Sequence, residues 1–255
     1  RFNAHYIATG HYVKNIFNKE TNEYELYTPK DLTKDQTYFL HVLNQEKLSK
    51  VIFPLSEYEK DDVYRMAYSK NLKFYENIKE SSDFCFVAGS SKDEYIKEKL
   101  GTKKGDIVNL QGKKVGEHNG LYFYTLGQRK NIGFFNSKPH YVCGFDFNNN
   151  KLIICSEDER DILYKNEIII NNVNIINPNI ENKIKNGEII QVLAKNRYQQ
   201  KLEEASIEFI EDKKYKITYK NKQLAPTFGQ FCVFYEKTDN IEKMCYGGGV
   251  IIEAK

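Results

Sequence analysis

The residues of this sequence best suited to chemistry are five cysteines, at positions 85, 143, 155, 232 and 245. A thiolate is a strong nucleophile, but a thiol reacts only where it is accessible and can lose its proton. Cys232 and Cys245 lie in apolar stretches, so we predict that they fill a core. Cys85 lies in the polar run 80–86, which predicts a loop between two elements. It is the candidate reactive thiol, and an inert loop cysteine is the alternative.

Two further cysteines, Cys143 and Cys155, are symmetric about Asn149 in a predicted hairpin. A three-residue loop would place them opposite each other on one face, where they form either a cross-strand disulfide or, as we favour, a packed pair of small side chains. An odd number of widely spaced cysteines favours a reducing compartment. The sequence has no C-x-x-C motif and no close pair of histidines, so we predict neither a zinc site nor a general thiol-redox protein.

Basic residues beside amides and aromatic rings suggest RNA contacts in two places. Gly127–Asn131 and Lys195–Gln200 each combine a cation for phosphate with groups able to meet a base or a sugar. Taken alone, each is better explained by ordinary solvated loop charge. The run Gly247–Gly249 has only six residues after it in this sequence, too few for a phosphate-binding helix, so we predict a strand with close backbone approach.

Composition limits the class of protein. The 255 residues are 40% hydrophobic and 14% aromatic, and the formal net charge is +3. These values exclude a mainly disordered chain and restrict any nucleic-acid binding to local patches. No apolar run approaches the ~20 residues of a membrane span, and no secretory signal is visible. We therefore expect a cytoplasmic protein, with an organelle left open.

The first third of the sequence has an α/β pattern. We predict a strand at His5–Gly10, a helix capped by Thr33, a second helix ending near Asn71, and a third helix at 92–100 that Gly101 ends. Any functional site in the first third of the sequence must be positioned by these elements.

From about residue 105 the pattern changes to β. Hairpins are predicted at 106–118 and 140–156, and Pro178 and Asn179 are placed in a loop. Six short strands with no helical pattern between them then predict a small barrel. These strands lie near 168–170, 188–197, 204–210, 214–220, 230–236 and 244–252.

Nine short motifs follow one another along nearly the whole sequence. They are Ala8–Tyr12, Lys34–Leu40, Phe53–Leu55, Ser82–Phe86, Gly116–Gly120, Tyr124–Lys130, Arg197–Tyr198, Pro226–Gln230 and Gly247–Gly249. Each motif is short, but the ordered set is highly specific. In this order the set resembles the tRNA-specific 2-thiouridylases of the MnmA type.

The resemblance implies a fold in three parts. The first is an α/β remnant of an adenine-nucleotide-hydrolase-like (PP-loop) domain, the second a small, mostly β central domain, and the third a C-terminal β-barrel. The expected segments are 1–91 for the C-terminal part of the nucleotide-binding, catalytic domain, 92–166 for the central domain and 167–255 for the tRNA-binding barrel.

The resemblance also implies a reaction, that of a tRNA-uridine 2-sulfurtransferase. Such enzymes adenylate the 2-oxygen of the wobble uridine and replace it with sulfur delivered as a cysteine persulfide. Cys85 matches the persulfide-bearing cysteine. A persulfide is a soft, strong nucleophile, and a second thiolate can resolve the bond as a disulfide. The implied partners are tRNA and a persulfide sulfur-donor protein, either a cysteine desulfurase or a relay carrier, and we expect a monomer without a membrane partner.

The other implied site residues bind nucleotide or tRNA. Gly10 matches a backbone position near ATP, with Mg²⁺ expected alongside the ATP and no protein-bound metal. Exposed amides and a lysine at the start of a helix suit phosphate. The implied tRNA contacts are His11, Lys34, Asp35, Gln36, Arg197, Tyr198 and Gln230.

The sequence departs from the family pattern in three places. It contains neither the Ser-Gly-Gly-x-Asp-Ser loop that holds pyrophosphate nor the first catalytic cysteine, so we expect these 255 residues alone not to thiolate tRNA. Ser82–Phe84 replaces Ser-Thr-Gly, and Phe228 is an extra bulky residue beside the usual Pro-Gly-Gln. The competing class is a non-catalytic RNA-binding module, which would bind tRNA in a salt-dependent way without thiol reactivity.

Overall fold

The N-terminal segment of the computed structural model is built from short elements. The structure describes residues 3–72, 92–132, 139–211 and 213–255. The elements of the first range are β1 (Ile7–Ala8), β2 (Lys14–Asn18), β3 (Glu23–Tyr27), α1 (Thr37–Leu40), α2 (Gln45–Leu48), β4 (Val51–Ile52) and α3 (Lys60–Ser69). Strand β1 lies within the predicted strand and pairs in parallel with β4. Strands β2 and β3 form an antiparallel hairpin that we did not predict.

The helix predicted from Thr33 begins later than expected. Asp31 is the cap, because its carboxylate accepts hydrogen bonds from the Thr33 backbone N at 3.0 Å and the Thr33 hydroxyl at 2.6 Å. These bonds stabilise a single 3₁₀ turn over Leu32–Lys34, and α1 starts only at Thr37. The second predicted helix is α3, and Asn71 follows it with a left-handed φ of 55°, as its predicted end requires.

Residues 77–165 and 223–227 form a compact unit of their own. Its elements are α4 (Lys92–Leu100), β5 (Gly105–Asn109), β6 (Lys114–His118), β7 (His140–Asp146) and β8 (Lys151–Ser156). The strands form one sheet in the order β6-β5-β8-β7, in which β5 and β8 are parallel. Both predicted hairpins are therefore confirmed, and Gly101 ends α4 with a φ of 72°.

The second compact unit joins residues 1–76 to 166–222 and 228–255. Its C-terminal strands are β9 (Tyr164–Ile175), β10 (Ile190–Lys195), β11 (Glu203–Phe209), β12 (Tyr215–Leu224), β13 (Phe231–Glu236) and β14 (Cys245–Ala254). They close into a barrel in the order β10-β11-β12-β9-β14-β13, which confirms the predicted barrel. The division into segments 1–91, 92–166 and 167–255 stays a prediction.

A helix that we did not predict, α5 (Pro178–Lys185), packs against the barrel core. The loop predicted for Pro178 and Asn179 is wrong, because Asn177 caps this helix by accepting a hydrogen bond from the backbone N of Ile180 at 3.0 Å. Proline at the first helical position loses no hydrogen bond, since that N–H has no partner within a helix. The side chain of Ile184 is fully buried and anchors α5 to the barrel.

Strand β13 is buried on both faces. Cys232 and Phe234 belong to the barrel core, whereas Val233 and Tyr235 belong to a second core formed with the N-terminal segment. Cys245 also lies in the second core, and both cysteines are buried, which confirms their prediction as core residues. The second core is completed by Ile176 and by Val13, Leu26, Tyr38, Leu48 and Phe53. The N-terminal segment and the barrel therefore share apolar packing.

The glycine run of β14 lets other groups approach its backbone closely. A Cβ on Gly247 would lie 2.1 Å from the carbonyl O of Asn174, and a Cβ on Gly248 would lie 2.6 Å from the ring of His41. The predicted close backbone approach is therefore confirmed. His41 uses this space to pack against the barrel, with its Nδ1 donating to the carbonyl O of Tyr38 at 2.7 Å.

No helix in the described ranges is long and apolar enough to cross a membrane.

We expect Gly248→Ala to lower the free energy of unfolding by about 1–3 kcal/mol, because the added methyl group overlaps His41 and the carbonyl O of Cys232. Urea unfolding followed by circular dichroism measures the change. Gly10→Ala is the matched control, because its Cβ would meet only Leu55, at 3.9 Å. Equal losses in the two variants would contradict the argument.

We also expect the free energy of unfolding to fall as the pH is lowered from 7.5 to 5.5. Burial lowers the pKa of His41 below its ordinary 6.5, so the unfolded chain binds this proton more readily than the folded protein. This contribution is complete above pH 6.5 and is lost below it, at no more than ~1.4 kcal/mol per pH unit. His41→Asn should flatten the profile in urea titrations, whereas the exposed control His5→Gln should leave it unchanged.

Candidate nucleic-acid interface

A buried ion pair joins the N-terminal segment to the barrel. Lys195 at the end of β10 donates from Nζ to Oδ2 of Asp35 at 3.1 Å, and the side chains of Lys195 and Asp35 are only 7% and 12% exposed. The other carboxylate oxygen, Oδ1, accepts from the backbone N of Thr37 at 2.9 Å and from its hydroxyl at 2.6 Å. Both oxygens of this carboxylate therefore have hydrogen-bond partners, as burial of a charge requires.

Aromatic rings surround the ammonium group of this pair. Lys195 Nζ lies 5.5 Å from the ring centroid of Tyr235, 5.7 Å from that of Tyr38 and 6.0 Å from that of Tyr198. Ring faces attract cations, and the attraction is stronger where water is excluded. Because Thr37 donates its hydroxyl hydrogen to Asp35, it accepts a hydrogen bond from Tyr235 at 3.0 Å. Contacts from the barrel and from α1 therefore hold both the ammonium group of Lys195 and the carboxylate of Asp35.

Gln36 connects this pair to the turn that contains Gly10 and His11. Its Oε1 accepts from the backbone N of Tyr12 at 2.9 Å, and its own backbone N donates to the Tyr12 carbonyl at 3.1 Å. Nδ1 of His11 is 2.9 Å from the Thr9 hydroxyl, and its ring meets Phe53 edge-on. Gly10 is exposed. The residues predicted near ATP and tRNA at 10–11 therefore adjoin those at 34–36.

Tyr38 connects the same segment to the start of β13, beside Gln230. Its hydroxyl donates to the carbonyl O of Phe231 at 2.9 Å. Burial raises the pKa of Tyr38 to about 12, so it keeps its proton at neutral pH. Oε1 of Gln230 is buried and has no hydrogen-bond partner among the residues that the structure describes. A buried acceptor without a partner costs free energy, which a hydrogen bond from an added donor would recover.

Arg197 and Tyr198 follow two and three residues after the ion-paired Lys195. Both are half-buried, and burial lowers the pKa of the Arg197 guanidinium because a desolvated cation is less stable. A planar guanidinium group can donate two parallel hydrogen bonds to a phosphate or a carboxylate. The ring of Tyr198 contacts that of Phe39, with centroids 4.6 Å apart.

Eight of the nine predicted site residues thus lie in one compact unit. The contacts above connect Gly10 and His11, the segment 34–36, Arg197 and Tyr198, and Gln230. Cys85 lies outside the described residues. We did not predict Lys195 as the partner of Asp35. A signal was present, because a lysine at the end of the apolar strand Ile190–Lys195 needs a counter-charge if its ammonium group is buried.

The four described cysteines are free thiols. Cys143 and Cys155 hydrogen-bond each other in one apolar cluster, which agrees with the packed pair that we favoured. The three-residue loop between their strands is wrong: Asp146 pairs with Lys151 around a four-residue turn, in which Asp146 accepts from the backbone N of Asn149. A bulge at Cys143 brings the two thiols together despite the altered register.

Burial limits the access of reagents to these four thiols. It raises the pKa of Cys232 to about 12 and also raises that of Cys245, while the hydrogen bond with Cys155, together with burial, raises that of Cys143. The same hydrogen bond lowers the pKa of Cys155, whose side chain is buried. No group of three or more His, Cys, Asp or Glu side chains within the described ranges is placed to hold a metal ion.

Comparison with known families gives matches along the chain. The family description "tRNA methyl transferase HUP domain" matches residues 1–89, "tRNA methyl transferase PRC-barrel domain" matches 93–156, and "Aminomethyltransferase beta-barrel domain" matches 165–251. An α/β nucleotide-hydrolase-like segment, a small central β domain and a C-terminal barrel were the predicted parts, so the fold class is confirmed.

Three curated proteins that are similar to this chain share the name tRNA-specific 2-thiouridylase MnmA. The chain is 38% identical over 253 residues to the tRNA-specific 2-thiouridylase MnmA of Mycoplasma capricolum, which covers 98% of this chain and 66% of the relative. It is 36% identical over 254 residues to MnmA 2 of Clostridium botulinum, with 99% and 67% covered. The MnmA of Staphylococcus epidermidis is 34% identical over 252 residues, with 98% and 65% covered.

The chain belongs to the tRNA-specific 2-thiouridylase family. It spans about two thirds of the length of the curated relatives that it matches. The described part of the chain contains the barrel, the central sheet and the ion pair that joins segment 34–36 to β10.

We expect Lys195→Met and Asp35→Asn each to lower the free energy of unfolding by about 3–5 kcal/mol, because each leaves the other group of the pair buried alone. The double variant should lose less than the sum of the two single losses. Urea unfolding of all four proteins measures this coupling.

Lys216→Met is the control for the ion pair, because Lys216 pairs with Glu208 at 2.7 Å while both side chains stay about one-third exposed. We expect it to cost no more than ~1 kcal/mol. Additive losses at Asp35 and Lys195 would show that the two groups do not stabilise each other.

Proposed function

We propose that this protein acts in the ATP-dependent 2-thiolation of the wobble uridine of tRNA. The observation that carries the proposal is the Asp35–Lys195 ion pair, which holds segment 34–36 against Arg197 and Tyr198. These stretches, far apart in sequence, match the tRNA contacts of the family. Relatives with 34–38% identity are named tRNA-specific 2-thiouridylases, which supports tRNA as the substrate.

In the proposed reaction, ATP transfers an adenylyl group to the 2-oxygen of the uridine, and pyrophosphate is released. The terminal sulfur of a Cys85 persulfide then attacks C2 and AMP leaves, so a disulfide links Cys85 to the base. A second thiolate attacks the sulfur of Cys85, which frees the 2-thiouridine and forms a protein disulfide. A thiol reductant restores the two cysteines, and a persulfide sulfur-donor protein loads Cys85 again.

The residues of the interface take distinct parts in the proposal. Arg197 and Lys34 would bind phosphates, because guanidinium and ammonium groups donate charge-assisted hydrogen bonds to phosphate oxygens. The unpartnered Oε1 of Gln230 would accept from a 2′-hydroxyl or a base, and His11 would contact tRNA beside Gly10. Gly10 is exposed and leaves its backbone open for ATP, with Mg²⁺ expected on the phosphates.

The sulfur-carrying part of the proposal can be tested on the cysteines. Because Cys143, Cys155, Cys232 and Cys245 are buried or half-buried, we expect Cys85 to be persulfidated and alkylated at least ~10-fold faster at pH 7.5. Peptide mapping by mass spectrometry after a persulfide donor or iodoacetamide measures each site. Cys85→Ser should lose persulfide loading while its Kd for tRNA stays within about threefold, because a sulfur-for-oxygen change removes no charge.

Two outcomes would overturn this assignment. Salt-dependent tRNA binding with no preferential reaction at Cys85 would indicate the alternative, a non-catalytic tRNA-binding module. A large loss of tRNA affinity in Cys85→Ser would make this cysteine structural. Cys232→Ser is not a suitable control because Cys232 fills the barrel core, whereas Cys143→Ser changes a half-buried thiol.

A further inference from the structure

Phe39 presents an exposed aromatic ring beside the interface. It is 51% exposed on α1, although its neighbour Tyr38 is buried and hydrogen-bonded to the barrel. Its ring lies against Tyr198, with centroids 4.6 Å apart and planes inclined by 39°. An exposed phenyl ring has no hydrogen bond to make with water, so this position offers apolar surface to a partner.

The two rings come from distant parts of the chain and are held in place by strong contacts. Phe39 follows the segment of Asp35 and Thr37, and Tyr198 follows Lys195, so the buried ion pair fixes both backbones. Tyr38 strengthens this arrangement by contacting Phe39 and Tyr198 and by bonding to Phe231. The paired rings are therefore a pre-formed surface, whose ordering costs little when a partner binds.

The neighbours of this surface favour a nucleic acid as the partner. Arg197 is adjacent to Tyr198, and Lys34 lies in the segment that the ion pair anchors. Unpaired bases stack on aromatic side chains while nearby cations bind their phosphates. A ring beside cations thus fits a single-stranded nucleotide better than it fits an apolar protein face, which would have to desolvate the charges.

A second aromatic pair in the same unit provides a contrast. Phe17 and Tyr24 are directly opposite each other on the β2–β3 hairpin, with centroids 5.0 Å apart, and Phe17 is 43% exposed. This pair is explained by cross-strand packing alone. The pair of Phe39 and Tyr198 has no such local origin.

We propose that Phe39, together with Tyr198, stacks one unpaired base of the tRNA that this protein binds. The inference rests on the proposed function, because it takes tRNA as the partner. It adds a residue to the interface that neither the motifs nor the family resemblance assigned.

Substitutions at Phe39 test the proposal on the 255-residue chain. Phe39→Leu keeps an apolar side chain but removes the ring, so we expect the Kd for tRNA to rise about 5- to 150-fold, which corresponds to the ~1–3 kcal/mol of one stacked base. Phe17→Leu is the matched control and should change the Kd less than about twofold. Fluorescence anisotropy with labelled tRNA measures both, and circular dichroism verifies folding.

A second measurement does not depend on how Phe39→Leu folds. The chain contains no tryptophan, so Phe39→Trp introduces a single reporter. A base stacked on the indole should quench its fluorescence when tRNA is added, whereas a fully double-stranded RNA of equal length should quench it far less. Phe17→Trp should respond to neither RNA.

The outcomes separate the inference from the function on which it rests. Failure of the parent chain to bind tRNA would overturn the proposed function and, with it, the stacking role. Tight binding by the parent chain, together with an unchanged Kd in Phe39→Leu and no quenching in Phe39→Trp, would overturn the stacking role alone.

Discussion

The ion pair between Asp35 and Lys195 is the interaction on which the proposed interface depends. A lysine and an aspartate with this little exposure lose most of their hydration, and only close partners offset that loss. Here Thr37 satisfies one carboxylate oxygen, and three tyrosine rings face the ammonium group. Because each buried charge needs the other as its partner, the pair fixes where α1 begins relative to the end of β10. Lys34, Gln36, Arg197 and Tyr198 lie within a few residues of the pair, and hydrogen bonds of Gln36 and Tyr38 connect this region to Tyr12 and Phe231.

Local patterns were sufficient to predict much of the fold. The barrel strands, both hairpins of the central sheet and the ends of α3 and α4 follow from apolar runs and turn residues, which act over a few positions. The predictions were wrong where the same residues favour two different local structures. Asn177 and Pro178 suit a turn as well as a helix start, and the buried Ile184 decided between them. Asp31 and Thr33 are both residue types that favour the N-cap position, and Asp31 takes it by accepting hydrogen bonds from the backbone N and the hydroxyl of Thr33.

The candidate site could be predicted as a set of residues but not as an arrangement. Motif order predicts His11, Lys34, Arg197 and Gln230 as contacts, yet no local rule states that Asp35 faces Lys195 or that Phe39 meets Tyr198. Such contacts depend on how the barrel closes, which is a property of the whole chain. The exposure of each side chain could not be predicted from the sequence either. Tyr38 and Phe39 are adjacent aromatic residues, and only the packing of the folded chain buries Tyr38 and leaves Phe39 half exposed.

The double burial of β13 also constrains how the protein is made. The N-terminal residues that cover its outer face are synthesised long before β13 itself, and Asp35 precedes its partner Lys195 by 160 residues. At ~5–20 residues per second the ribosome needs about 10–30 s to supply that partner. During this interval Leu26, Leu48 and Phe53 lack the strand with which they share a core in the folded protein, so the packing of these apolar side chains is completed only after β13 has been made.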